Sequence, residues 1–225
     1  RCWSKMTDIN FSVTSLKLHK SGILFWPEKK IAVASDLHLE KSSSFAKLGI
    51  FLPPYESLLT LDRLYKILKK SDIKRLILLG DTFHDNYGYL RLSRESRKKF
   101  EYIISKYDTT FILGNHDRNI QIPMVKKVLN LKINEINFCH ELSSSNFYEI
   151  SGHYHPKVVF KKFNNRISTK CFVISKSKII LPAFGEFTGG LDVNDKAFKS
   201  LIKEDCDYFL LHPKKLYHLP QQYIR

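Results

Sequence analysis

IAVASDLHLEK, Ile31 to Lys41, is an unbroken apolar run that ends directly in an Asp-x-His pair. A run apolar at every position suits a strand buried on both faces, as in a parallel sheet covered by helices. Residues at i and i+2 of an extended chain project from the same side, so Asp36 and His38 can converge on one point, which could hold a metal ion.

The residues further along repeat this arrangement. Leu58, Leu61, Leu64, Ile67 and Leu68 recur at helical spacing before Lys69-Lys70, and Arg75 to Leu79 is a second apolar run entering Gly80-Asp81. A second helix is expected from Ser93, a suitable N-cap, to Tyr107, followed by a strand from Thr109 into Gly114-Asn115-His116-Asp117. Strand, helix, strand, helix, strand is the order of a parallel α/β sheet, and open sheets of this kind carry their sites at the carboxyl ends of the strands. Asp36, Asp81 and Asn115 all fall there.

Upstream, Phe11–Leu18 and Gly22–Trp26 read as two antiparallel strands turning at Lys20-Ser21-Gly22, and residues 41–55 read as a loop closed by Pro53-Pro54. Beyond residue 135 short strands are expected at 136–139, 147–150, 158–163, 171–174 and 179–182, with a helix over 196–203 and final strands at 208–211 and 216–219. They predict a mostly antiparallel second sheet. The fold class is therefore α/β, a sandwich of two mixed β-sheets flanked by helices, and the 225 residues are expected to form one domain.

Composition narrows the function classes. No apolar run approaches the roughly 20 residues that span a bilayer, and the N-terminal residues lack the apolar core of a signal peptide, so a cytoplasmic location is expected. Cys2, Cys139, Cys171 and Cys206 lack zinc-finger or thioredoxin-like spacing and read as reduced thiols. The net charge of +15 favours polyanions, nucleic acid before an anionic membrane surface, although lysines spread along the chain also suit a merely solvated surface.

Five polar clusters carry the chemistry: Asp36-x-His38, Gly80-Asp81, Gly114-Asn115-His116-Asp117, His140 and Gly152-His153-Tyr154-His155. Packing alone does not require such clusters at successive strand ends, and their nitrogen and oxygen donors predict a metal site.

This set of motifs resembles that of the calcineurin-like metallophosphoesterases. SDLHLEKSSSFAKLG, LPPY, GDTFHD, GNHD, GHYHP and LPAFGEFTGGLDV further resemble the bacterial ligase-associated DNA-damage-response phosphoesterases, over roughly residues 22–195. Ser42 stands where that family would have glycine, and Tyr154 fills a variable position.

The resemblance implies two divalent ions, Mn²⁺ first, with Fe²⁺ or Zn²⁺ as alternatives. One would be held by Asp36, His38, Asp81 and His155, the other by Asp81, Asn115, His140 and His153, with Asp81 offering an oxygen to each. Two ions about 3.5–4 Å apart acidify a water and orient phosphate oxygens for in-line attack. By the same resemblance His116 is a non-ligand that stabilises the transition state or protonates the leaving oxygen, and Asp117 could hold its ring.

His84 and Asp85 are expected to orient ligands or contact substrate, and Glu40, Lys41 and Glu141 are placed to help. The loop Tyr87-Gly88-Tyr89-Leu90-Arg91 combines aromatics and a cation that could stack bases, and Thr188, Gly189 and Gly190 could bring backbone N–H groups to a phosphate. The function so implied is a dimetal phosphodiesterase, a DNA-repair endonuclease with DNA as substrate and a DNA ligase or helicase as partner. A nucleotide-sugar-lipid pyrophosphohydrolase, with residues 118–139 as a small lid, and a non-catalytic scaffold are the alternatives.

Overall fold

The apolar run forms strand β4 (Ile31–Ser35), buried at every position. Ile31 and Val33 enter a core cluster shared with the opposite sheet, and Ala32 and Ala34 enter the cluster under the helices, which is why the run does not alternate. The computed structural model describes residues 6–53, 55–144, 147–162 and 165–223; Cys2, Pro54 and Phe163 lie outside them.

β4 is central in a sheet ordered β1 (Thr7–Phe11), β2 (Thr14–Leu18), β3 (Leu24–Trp26), β4, β5 (Arg75–Leu79), β6 (Asp108–Ile112), β7 (Lys126–Val128). Pairing is antiparallel from β1 to β4 and parallel from β4 to β7. Phe11–Leu18 is thus two strands, not one. Its turn at Ser12-Val13 lacks glycine, asparagine and proline, and Ser12 adopts the left-handed φ of 54° that such residues usually supply.

Helices α2 (Glu56–Leu68) and α4 (Arg94–Lys106) cover the outer face of this sheet through Leu61, Leu64, Leu68, Phe100 and Ile103. The Ser93 hydroxyl caps α4, accepting the Ser96 N–H at 3.1 Å. The expected loop after residue 40 opens with a short helix, α1 (Lys41–Ala46), and Gly88–Arg91 forms one helical turn, α3.

The second sheet runs β15 (Leu216–Pro220), β14 (Asp207–Leu211), β12 (Asn165–Ile174), β13 (Lys178–Ile180), β10 (Tyr148–Ser151), β9 (Ile136–Cys139), β8 (Asn130–Ile133), with β11 (Lys157–Lys162) on β12. Most pairs are antiparallel as expected, but β9, β10 and β13 run parallel. β7 and β8 escaped the pattern because both are short and half-exposed. The last helix, α5 (Lys196–Lys199), is a single turn rather than the eight residues expected.

Trp26, Val33, Ile77 and Leu79 meet Phe138, Ile150 and Phe172 between the sheets. Ile120 and Ile122 are buried in the core, so this part of 118–139 packs inward instead of forming a lid. Cys139, Cys171 and Cys206 are free and buried. Burial pushes the Cys139 and Cys206 thiols up to about 12, which leaves them inert. Among the described residues no helix is long and apolar enough to cross a membrane.

Candidate metal centre

β4, β5 and β6 end at one edge of the first sheet, and there the chain leaves extended geometry. Asp36, His38 and Glu40 have φ of 53°, 47° and 64°; Asp81 has 44°, and His153 and His155 have 69° and 44°. Left-handed backbone costs a residue with a Cβ about 1–3 kcal/mol and persists only where its surroundings hold it. Here hydrogen bonds do so. Asp36 N–H donates to Gly80 O at 3.2 Å, His38 N–H to Asp81 O at 2.9 Å, and Gly185 N–H to Asp36 O at 3.0 Å. Asp36 and His38 therefore do not sit in an extended segment as expected: left-handed residues at alternate positions aim both side chains at the centre while Leu37 and Leu39 turn into the core.

Asp36, His38 and His155 form one group and Asp81, His140 and His153 another, with the candidate ligand atoms of each within 4.8 Å of one another. His155 Nε2 lies 3.2 Å from both Asp36 Oδ1 and His38 Nε2. His140 Nε2 lies 3.1 Å from His153 Nδ1, 3.0 Å from Asn115 Oδ1 and 3.3 Å from Asp81 Oδ2. Asp81 Oδ2 is also 3.9 Å from His38 Nε2, whereas Asp81 Oδ1 accepts the His116 N–H at 2.9 Å. Oδ2 of Asp81 thus faces both groups.

The donors fit divalent cations. Ring nitrogens face one another beside buried carboxylates, an arrangement a shared cation satisfies, and no thiolate takes part. Burial pushes His38 down to about 3, so its ring is neutral and able to ligate. Burial opposes ionisation of Asp36 and Asp81, but the histidines overcome it: His155 first holds Asp36 below its usual value, and His140 first brings Asp81 down to about 2. Such crowding needs glycine, since a Cβ on Gly80 would overlap the His140 ring, one on Gly114 would overlap Asp81 Oδ1 and one on Gly152 would overlap Ser35 Oγ.

His84 joins His38 and His116 in a third group, its ring stacked on His116 with centroids 5.1 Å apart. His116 Nδ1 lies 2.9 Å from the His84 carbonyl oxygen. Asp117 does not hold that ring as expected. Its buried carboxylate accepts the N–H groups of Gly114 at 2.9 Å and Phe83 at 3.2 Å, tying two motif loops together.

Asp85 is engaged by Arg91 through both oxygens, at 2.8 and 2.6 Å, and by Tyr87 N–H at 2.8 Å. Tyr87 is exposed but Tyr89 is buried, so the loop offers one aromatic rather than two. Glu141 Oε1 is 3.6 Å from His153 Nε2, and Lys41 donates to Phe187 O at 2.9 Å. Glu40 is buried, its N–H bonded to Ser57 Oγ at 2.8 Å. Thr188 Oγ1 lies 3.3 Å from Gly185 O, and Gly190 passes close to the His155 carbonyl, leaving no room for a Cβ; Gly189 is in open space.

Three contributors were not among the residues expected at the site. Ser35 Oγ lies 2.5 Å from Asp36 Oδ2 and 2.9 Å from Leu79 O. Lys170 donates to Ala183 O at 2.9 Å and Gly185 O at 2.8 Å, and burial pushes its amine down to about 8. Arg63 bonds Phe184 O and Glu186. Together Lys170 and Arg63 brace the loop that bonds back to Asp36.

A two-sheet sandwich with paired histidine and carboxylate groups at the carboxyl edge of its parallel strands has the architecture of a metal-dependent phosphoesterase. The chain belongs to the calcineurin-like phosphoesterase family, whose model matches residues 29–212. It is similar to the solved structure of the nuclease MPE of Pseudomonas putida, with 25% identity over 95% of this chain and 100% of that one and a TM-score of 0.74. The phosphoesterase YfcE of E. coli also aligns, at 14% identity over 87% of this chain and 99% of that one, with a TM-score of 0.41. No curated protein matches the chain in sequence.

Proposed function

We propose that the chain is a two-metal phosphodiesterase that cleaves DNA. Asp36, His38, Asp81 and His155 would hold one cation and Asp81, Asn115, His140 and His153 the other. The position of Asp81 Oδ2, 3.9 Å from His38 Nε2 and 3.3 Å from His140 Nε2, carries this reading, because one buried oxygen between two ligand groups is what a shared centre requires. Mn²⁺ is the proposed metal, consistent with nitrogen and oxygen donors and the sequence resemblance. When bound, the cations supply Lewis acidity to phosphate oxygens and an acidified water.

The protein's own part is orientation and proton handling. Ser35 and the His153 N–H, the latter 3.0 Å from Asp36 Oδ2, fix the Asp36 carboxylate. The His84 carbonyl takes His116 Nδ1–H and turns Nε2 to the centre, 4.0 Å from Asp81 Oδ2, where it would stabilise charge on the phosphate or protonate the leaving oxygen. The net charge of +15 and the likeness to a nuclease at a TM-score of 0.74 support a nucleic-acid substrate. A role in DNA repair, a DNA ligase or helicase as partner and a cytoplasmic location are proposed on the sequence resemblance.

Purified protein with Mn²⁺, given a generic phosphodiester, single- and double-stranded DNA and a lipid-linked pyrophosphate, tests the reading. The expected result is diester and DNA cleavage, abolished by Asp81→Asn together with a fall in bound metal. Hydrolysis of the pyrophosphate alone, or of nothing despite bound metal, would overturn it.

A further inference from the structure

A cavity of about 260 Å³ opens directly off the metal centre, since Asn115 and His140 lie in its lining together with Arg118, Asn130 and Glu141. The segment that carries Arg118 is held on both sides. The Asp117 carboxylate accepts the Gly114 and Phe83 N–H groups, the Asn119 N–H donates to Asn86 Oδ1 at 2.8 Å, and the Ile120 N–H returns to Asp117 O at 3.1 Å, with Ile120 itself buried. A side chain leaving so anchored a turn starts from one place, which lowers the ordering cost of any contact it makes.

Arg118 is exposed, and among the described residues its side chain has no hydrogen bond, ion pair or ring contact. The other cations described around the centre are engaged: Arg91 by Asp85, Lys41 by Phe187 O, Lys170 by Ala183 O and Gly185 O, and Arg63 by Phe184 O and Glu186. The carboxylate in the cavity lining, that of Glu141, lies 3.6 Å from His153 Nε2 and so has a partner of its own. A guanidinium offers five N–H donors in a planar fork that matches two phosphate oxygens. The chemistry of the centre says which phosphate. In a nucleic acid strand a diester at the cations belongs to a run of diesters one sugar apart, so a cavity bordered by Asn115 and His140 is where the neighbouring phosphate of the same strand comes to lie. A free anion has no such tether to bring it there.

We propose that Arg118 binds the phosphate next to the scissile one, with the strand leaving the centre past Asn115 and His140. Arg118 then takes no part in the chemical step but sets substrate preference, because a lone diester has no second phosphate to place in the cavity and a polynucleotide has one. Its contact is made equally in the ground and transition states and so acts on KM. This rests on the phosphodiesterase reading of the centre and adds to it the residue that recognises a chain rather than a single diester.

Arg118→Gln removes the charge and Arg118→Lys keeps it. With Mn²⁺, Arg118→Gln is expected to lower kcat/KM on a single-stranded oligonucleotide roughly ten-fold, mainly through KM, and to change hydrolysis of bis-p-nitrophenyl phosphate, which has a single phosphate, by less than about two-fold. Binding is read without cleavage on Mn²⁺-loaded His116→Ala protein. Adding Arg118→Gln should flatten the slope of log Kd against log salt for that oligonucleotide by about 0.7, the value of one phosphate contact on a single strand, and adding Arg118→Lys should leave the slope as it was. Equal losses on both substrates, an unchanged slope in Arg118→Gln, or a loss confined to a nucleotide-sugar pyrophosphate would overturn the proposal. If the protein does not cut DNA but the slope still depends on Arg118, the nuclease reading fails and the assignment stands; if it cuts DNA and Arg118→Gln cuts as well as the wild type, the reverse holds.

Discussion

At His116 the whole side chain is aimed by a carbonyl oxygen, that of His84, 2.9 Å from Nδ1. The ring shares a candidate ligand group with His38 and His84 but none with Asp36, Asp81, His140 or His153, so the two groups that carry the carboxylates keep their donors when it is truncated. His116→Ala is expected to keep its bound metal and lose turnover by roughly 10²–10⁴, checked by elemental analysis beside kcat. Away from the centre, His19 Nδ1 accepts the Ser21 N–H at 3.2 Å, and burial, with Lys20 next, pushes its pKa down to about 4. The unfolded chain, near 6.5, then takes up the proton first on acidification, so the stability His19 contributes is present above about 6.5 and is lost as pH falls towards 4. His19→Asn is expected to show a smaller fall in Tm than the wild type across that window; parallel Tm curves would refute the assignment. The converging histidines and carboxylates were legible because each motif repeats a strand end followed by a ligand. Lys170 was not, since it bonds carbonyls at least 13 residues away and leaves no local pattern, and neither was the reach of Ser35 to a carbonyl 44 residues away.

Among the elements, the loop 183–190 shows how a turn is made rigid without regular structure. Arg63 from α2, Lys170 from β12 and Lys41 from α1 each donate to its carbonyls, and its Phe184 and Gly185 N–H groups return to Ser35 and Asp36. Lys170→Met keeps the length of the side chain and removes the donor. Its expected effect is local: hydrogen exchange over 183–190 about ten-fold faster and reduced turnover, while global stability changes by no more than about 1 kcal/mol because a buried charge is removed as well. Uniform exchange with unchanged turnover would show that the lysine only fills space. The parallel strands and the two long helices were readable from apolar runs and 3.6-residue spacing. α1, β7 and β8 were not, because short half-exposed segments have no periodicity to detect. The Ser12 turn was hidden for another reason, an L-residue with a side chain occupying a backbone region usually left to glycine.

Across the molecule, layering was legible from the change from continuous apolar runs to short strands, whereas the parallel pairing of β9, β10 and β13 depends on tertiary partners alone. Because the candidate ligands come from both layers, a divalent cation binds the native state and not the unfolded one. At a hundred-fold excess over Kd, each such ion adds about 2.7 kcal/mol, which raises Tm by roughly 5–10 °C for a chain of this size. Differential scanning fluorimetry with Mn²⁺ against EDTA should show that rise, and Asp81→Asn should shrink it. The distance along the chain between His38 and His155, 117 residues, has a consequence for biosynthesis. A chain leaving the ribosome displays Asp36, His38 and Asp81 well before their partners exist, and closure over so long a separation is slow. Metal capture therefore waits for the second layer to dock, so activity is withheld from every unfinished copy.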